Sequence, residues 1–230
     1  MGLLRSIRRD IDVVLQRDPA AVSALEVVLA YPGFHARQIH RLAHALHRGN
    51  VPLIPRLISH WGRFLTGIEI HPGARIGEGL FIDHGMGVVI GETSEIGDDV
   101  TLYQGVTLGG VNTRRIKRHP TLGDRVVVGA GAKILGAVTI GADVKVGAGS
   151  VVVSDAPSHS TVVGIPGRVV AVVNPTDGTT EKLPDPEDEM IHCLRRKVQE
   201  LETRLVELEA RVEPKTEIRP SNAESRESRG

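Results

Sequence analysis

Two dipeptides set ionisable side chains side by side where acid–base and ion-pair chemistry is possible: Asp83-His84 and Arg118-His119. Histidine titrates near neutrality, so either ring can exchange a proton at physiological pH. The second pair closes the segment Gly109 to Pro120, which also carries Arg114, Arg115 and Lys117 and so suits an anionic ligand. His40, His44 and His47 share one helical face, a spacing a metal would accept. No carboxylate or cysteine stands beside them, so the expectation is a half-exposed helix flank. The single cysteine, Cys193, excludes an intrachain disulfide and a cysteine-cluster metal site.

Something rigid must hold these groups, and the sequence supplies it as a repeat. Aliphatic residues recur every six positions as Ile70, Ile76, Ile82 and Val88, then, after a two-residue shift, as Ile90, Ile96, Leu102 and Leu108. The period resumes with Leu122, Val128, Ile134, Ile140, Val146 and Val152, usually with glycine one place later. A period of six is neither 2 nor 3.6; it is a hexapeptide repeat, with one short strand per repeat and a tight corner after it. Three hexapeptides complete a triangular coil, and stacked coils bury an aliphatic ladder. That core needs no aromatic residues, which accounts for a chain with 3% aromatic residues and 26 glycines among 230 residues. The expected fold is therefore mainly β with α: a left-handed parallel β-helix over 67–173. The segment between Leu108 and Leu122 is two residues too long for two further hexapeptides and should project as a loop over 109–120.

Around the solenoid the pattern changes. Residues 1–66 read as a helical region, with one helix from Asp10 to Leu29 and another from Gly33 to Arg48, punctuated by Pro32-Gly33 and by Gly49 to Pro52. Residues 174–189 have the composition of a linker. Ile191, Leu194, Val198, Leu201, Leu205, Leu208 and Val212 follow at alternating spacings of three and four, which predicts a coiled-coil helix over 190–212. Residues 213–230 are polar and should be disordered. Lys plus Arg equals Asp plus Glu at 28 each, which gives no field favouring nucleic acid or anionic membrane. No apolar run is long enough to span a bilayer and the N-terminus lacks a secretory core, so the expected location is the cytoplasm.

Several stretches follow one another as in a known family: Arg17-Asp18-Pro19-Ala20, Tyr31-Pro32-Gly33-Phe34-His35-Ala36, Ile70-His71-Pro72-Gly73-Ala74, Asp83-His84-Gly85-Met86-Gly87, Gly91-Glu92-Thr93, Gly105-Val106-Thr107-Leu108-Gly109-Gly110, Arg118-His119-Pro120 and Gly129-Ala130-Gly131-Ala132-Lys133. Over residues 10 to 170 the chain resembles the serine acetyltransferases. The resemblance implies transfer of acetyl from acetyl-CoA to the hydroxyl of L-serine, the first step of cysteine biosynthesis, with no tightly bound cofactor and no metal. It implies that His84 is the general base, which a serine hydroxyl needs because it is a poor nucleophile while protonated. Glu69 stands where the family commonly has Asp, as the carboxylate that orients the imidazole. Asp18 and Asp83 would take the serine ammonium, and Arg118 and His119 its carboxylate. Gly109, Gly110, Ala130 and Ala148 would leave room for the pantetheine arm, and Lys133 and Lys145 would reach the nucleotide phosphates.

Two other readings fit parts of this pattern. An acetyltransferase of the same fold acting on a sugar or another alcohol or amine would need a histidine base but gives Asp18 and Arg118 no task. A zinc carbonic anhydrase of the same fold would use three histidines at a subunit boundary, and His71, His84 and His119 make that count possible. The resemblance further implies a homotrimer and feedback inhibition by L-cysteine. The short N-terminal helical region and the ending Ser228-Arg229-Gly230, in place of an isoleucine, speak against hexamers and against a tight complex with cysteine synthase through the usual tail.

Overall fold

The computed structural model describes residues 2–182 and 186–212, which fall into two compact units, 1–183 and 184–230. The expected disordered tail, 213–230, lies outside the described residues. The first unit opens with four helices: α1 (Leu3–Arg17), α2 (Ala24–Ala30), α3 (Pro32–Arg48) and α4 (Ile54–Thr66). The single helix expected from Asp10 to Leu29 is thus two, broken at Asp18-Pro19. The Asp18 carboxylate accepts the Ala20 N–H at 2.8 Å and turns the chain where proline ends helical hydrogen bonding. The chain re-enters helix through Ser23, whose hydroxyl accepts the Glu26 N–H, while the Glu26 carboxylate accepts the Val22 N–H.

Each hexapeptide then contributes a strand of two or three residues. The first coil is β1 (Glu69–Ile70), β2 (Arg75–Ile76) and β3 (Phe81–Ile82); the second is β4 (Val89–Ile90), β5 (Glu95–Ile96) and β6 (Thr101–Leu102). The third is β7 (Thr107–Gly109), β8 (Thr121–Leu122) and β9 (Val127–Val128), and the fourth is β10 (Lys133–Leu135), β11 (Thr139–Ile140) and β12 (Lys145–Val146). β13 (Val151–Val152) starts a fifth, and β14 (Ser160–Val163), β15 (Arg168–Val173) and β16 (Thr180–Lys182) close the end. Face one stacks β1-β4-β7-β10-β13, face two β2-β5-β8-β11, and face three β3-β6-β9-β12-β14, all in parallel. This is the left-handed parallel β-helix expected from the repeat. Inside the coils lies one continuous aliphatic core that contains no aromatic residue, with Leu108, Ile134 and Ile140 fully buried. Removing one such side chain to Ala would cost about 2–5 kcal/mol, because a rigid coil cannot collapse onto the gap.

Two breaks in the repeat shape the surface. Thr107 pairs with Val89, eighteen residues before it, but with Lys133, twenty-six after it, so the projecting loop inserts eight residues into one hexapeptide step. Val89 pairs with Glu69, twenty residues back, which places a two-residue insertion in the corner between β3 and β4. His84 lies in that corner.

The helical layer covers the open edge of the first coil. Carbonyls with no coil above them are satisfied by side chains of α3 and α4: Ser59 donates to Ile70 O, His44 to Pro72 O, His40 to Ala74 O, and Arg37 to Ile76 O and Gly77 O. The α3 histidines are therefore not a half-exposed flank throughout, because His40 is 3% exposed and bonded on both ring nitrogens. At the other end, β15 and β16 turn back antiparallel, so the segment expected as a linker from 174 begins with a turn and a strand. The second unit contains α5 (Pro186–Val212). Among the described residues no helix is long and apolar enough to cross a membrane.

Candidate active site

The expected site residues gather into two clusters at different corners of the triangle. The first occupies the corner between faces three and one. There Asp83-His84-Gly85 makes a tight turn in which Gly85 N–H donates to Asp83 O at 2.6 Å, with His84 at φ 57° and Gly85 at φ 76°. A non-glycine residue in the left-handed region costs about 1 kcal/mol or more, and here it stands the exposed imidazole on the outside of the corner. Gly33 allows the first turn of α3 to approach this corner, since a Cβ there would collide with the Ile82 carbonyl. The approach brings the α1–α2 turn with it. Asp18 accepts the Tyr31 hydroxyl at 2.7 Å, a bond that holds the carboxyl below its usual range, with the Ala20 N–H and the charge of His84 acting in the same direction. Tyr31 is pushed up to about 12 by the same bond. Asp18 and Asp83 thus form an anionic patch beside His84.

Glu69 is not bonded to His84. Its carboxylate pairs with Arg63 of α4 at 3.1 Å, and both side chains are solvent-accessible.

The second cluster occupies the corner between faces one and two, where the loop returns. Arg118 donates to the Glu92 carboxylate at 2.5 Å. Burial raises the Glu92 carboxyl, but the Arg118 hydrogen bond and the charges of His71, Arg118 and His119 outweigh it and hold it low. Thr93 fastens the loop: its hydroxyl oxygen accepts the backbone N–H groups of Arg118 and His119 at 3.0 and 3.1 Å. With both bonds accepted, its proton goes to His119 Nδ1 at 2.9 Å, and the Thr93 N–H donates to the same nitrogen at 3.2 Å. The His119 proton therefore sits on Nε2. The ring lies against Gly91, where any Cβ would overlap it. Burial, then the charge of Arg118, depresses the His119 pKa, so this buried ring is a neutral N–H donor.

Glu92, Thr93 and Tyr31 were not among the expected site residues. The motif stretches contained all three, but only the hydrogen bonds give them tasks. His71 accepts the Gly73 N–H on Nδ1 at 2.9 Å and is depressed to about 4, chiefly by burial. It belongs to the second corner with His119, while His84 stands on the first.

The coenzyme candidates also divide. Gly109 and Gly110 begin the loop at the second corner. Ala130 and Ala148 continue the first corner, where Gly87, Gly105, Gly131 and Gly149 each turn the chain at φ 70–75° in successive coils. Side chains added at Gly131 or Gly149 would meet nothing, so this edge is an open, small-residue track running from His84. Lys133 and Lys145 are exposed in β10 and β12, whose faces meet along it.

A three-sided hexapeptide coil with an imidazole on one corner and a basic loop on another is the architecture of the hexapeptide-repeat transferases. Residues 119–154 match the family described as bacterial transferase hexapeptide (six repeats), and residues 2–39 match serine acetyltransferase, N-terminal. The serine acetyltransferase of Synechococcus elongatus is 54% identical over 207 residues, 88% of this chain and 84% of the relative. That of Bacillus subtilis is 51% identical over 92% of this chain and 99% of its own length. Among solved structures, Neisseria gonorrhoeae serine acetyltransferase in complex with serine superposes with a TM-score of 0.71 at 41% identity, covering 73% of this chain and 69% of that one. The Brucella abortus enzyme in complex with coenzyme A gives 0.70 at 42%, covering 73% and 67%. This chain belongs to the serine acetyltransferase family.

Proposed function

We propose that the protein is a serine O-acetyltransferase, moving the acetyl group of acetyl-CoA to the hydroxyl of L-serine to give O-acetyl-L-serine and CoA in cysteine biosynthesis. The observation that carries this is the charge of the two clusters: carboxylates beside His84 suit an ammonium, and the Glu92-held Arg118 with the His119 N–H suits a carboxylate. Free serine brings both groups, and fixing both aims its hydroxyl.

In this reading His84 takes the hydroxyl proton as the oxygen attacks the thioester carbonyl. The tetrahedral intermediate then expels the CoA thiolate, which receives that proton from His84. Asp18 and Asp83 bind the ammonium and stabilise the imidazolium. Arg118 binds the carboxylate, and His119 donates through Nε2 rather than acting as a second base. Glu69 would orient the His84 imidazole by turning from its exposed pair with Arg63, a weak contact that costs little to rearrange. The glycine and alanine track takes the pantetheine arm, with Lys133 and Lys145 toward the phosphates and Gly109 and Gly110 contributed from the second corner. L-cysteine has the same charged ends as serine and would compete for the site; a solved serine acetyltransferase holds cysteine.

One side of the triangle is about six extended residues, on the order of 15–20 Å, too far for one serine molecule to touch both corners. The site is therefore completed between copies: the first corner of one chain faces the second corner of its neighbour, and a closed ring of three satisfies every corner. A survey of acceptors by CoA release tests the function, with serine expected to exceed sugars and amines in kcat/KM. A sugar as the preferred acceptor would overturn it. Arg118→Ala should raise KM for serine and leave serine methyl ester unaffected.

A further inference from the structure

We propose that α5 is a self-recognition element whose apolar seam docks on the same helix of further copies of this chain, parallel and in register. Ile191, Leu194, Val198, Leu201, Leu205 and Leu208 are each 46–58% exposed and repeat every seven residues at two positions. Such a stripe is unfavourable in water and fits a facing stripe of the same period.

The flanks decide which partner and which direction. On one side of the seam stand Lys197 and Arg204, each one residue before a seam position; on the other stand Arg195, Glu202 and Glu209, each one residue after. In a parallel, in-register assembly the first flank of one helix meets the residue five positions later on its neighbour, which sets Lys197 against Glu202 and Arg204 against Glu209. Both contacts are attractive. In that assembly Arg195 meets only Met190; in an antiparallel one like flanks meet, so Lys197 opposes Arg204 and repels while Arg195 opposes a carboxylate and attracts, and the charges cancel instead of adding. A parallel shift by one heptad keeps one attractive contact but exposes seam residues at both ends. A helix with this pattern is complementary to itself, which favours a second copy over an unrelated amphipathic helix. Within α5 the two cations reach Glu200 at 3.3 and 3.9 Å, exposed contacts that compete weakly. The number of strands, three, rests on the ring proposed above; the direction and register do not.

The test uses the full chain with Cys193→Ser, single cysteines at Leu194, Leu208 or Thr203, and mild oxidation. Thr203 lies opposite the seam. Chains linked to their own kind are expected at Leu194→Cys and at Leu208→Cys, and not at Thr203→Cys. Lys197→Glu with Arg204→Glu should abolish linkage, and adding Glu202→Lys with Glu209→Lys should restore it. Linkage appearing only when Leu194→Cys and Leu208→Cys chains are mixed would mean antiparallel helices and overturn the proposal. Equal linkage at Thr203, or none at either seam position, would overturn it too. Light scattering on the unaltered chain reports the number of copies separately, so failure of the ring and failure of the helix proposal give different results.

Discussion

At the scale of single residues, the site depends on which imidazole can accept a proton. His84 is exposed with no hydrogen bond among the described residues, whereas His119 has its Nδ1 lone pair engaged by Thr93 and carries its proton on Nε2. Only the first is free to act as a base. His84→Asn should therefore lower kcat by about 100-fold with the fold intact by circular dichroism; turnover within a few-fold of wild type would remove the assignment. Thr93→Val leaves two loop N–H groups without their acceptor and Nδ1 without its hydroxyl donor, at about 1–3 kcal/mol for each buried group left unpaired. The expected outcome is a higher KM for serine, because the loop segment that carries Arg118 and His119 loses its fastening. Thr93→Ser should behave as wild type, and a Val variant with unchanged KM would show that the loop is held by other contacts.

At the scale of elements, the helical layer is joined to the first coil by neutral histidines. Burial and then the charge of Arg37 lower the His40 pKa to about 3, and burial lowers that of His71 to about 4, against an ordinary value of 6.5. A depressed histidine means that the unfolded chain binds the extra proton and the folded one does not. Stability is then complete above pH 6.5 and is lost as pH falls toward 4 and 3, with a slope approaching about 1.4 kcal/mol per pH unit for each proton. Urea unfolding between pH 7 and 4 should show this decline. His40→Gln, able to accept from Arg37 and donate to Ala74 O, should flatten it; an unchanged slope would place the titration elsewhere. The same layer shows where periodicity misleads. The pattern ran unbroken through Asp18-Pro19, where a carboxylate turn divides the helix, and it did not mark α4, whose Leu53 N-cap lies at φ 61°.

At the scale of the whole molecule, the proposed sharing of each site between two copies makes activity depend on association. His84→Asn chains are expected to be nearly inactive, and His119→Asn chains to turn over little at serine concentrations well below their raised KM. Refolded together, about a quarter of the shared sites would unite an intact first corner with an intact second corner by random mixing in a ring. Recovery of a comparable share of wild-type activity is the expected outcome. No recovery in mixed particles of the right mass would place a complete site within each chain.

The sequence by itself determined the β-helix, because a hexapeptide period with inward aliphatic residues admits few other ways of burying Ile70 through Val152. It also marked both corners, since each break in the period holds one of the two ionisable pairs: the two-residue shift before Ile90 holds Asp83-His84, and the excursion after Leu108 holds Arg118-His119. What the period could not convey is the angle between those breaks. Residues 84 and 119 fall on different corners because one break follows the third face and the other follows the first, and only stacked coils convert that count into a distance. Nor could it assign a proton to Nε2 of His119 or give Glu69 to Arg63, because both follow from side chains that meet across the fold rather than along the chain.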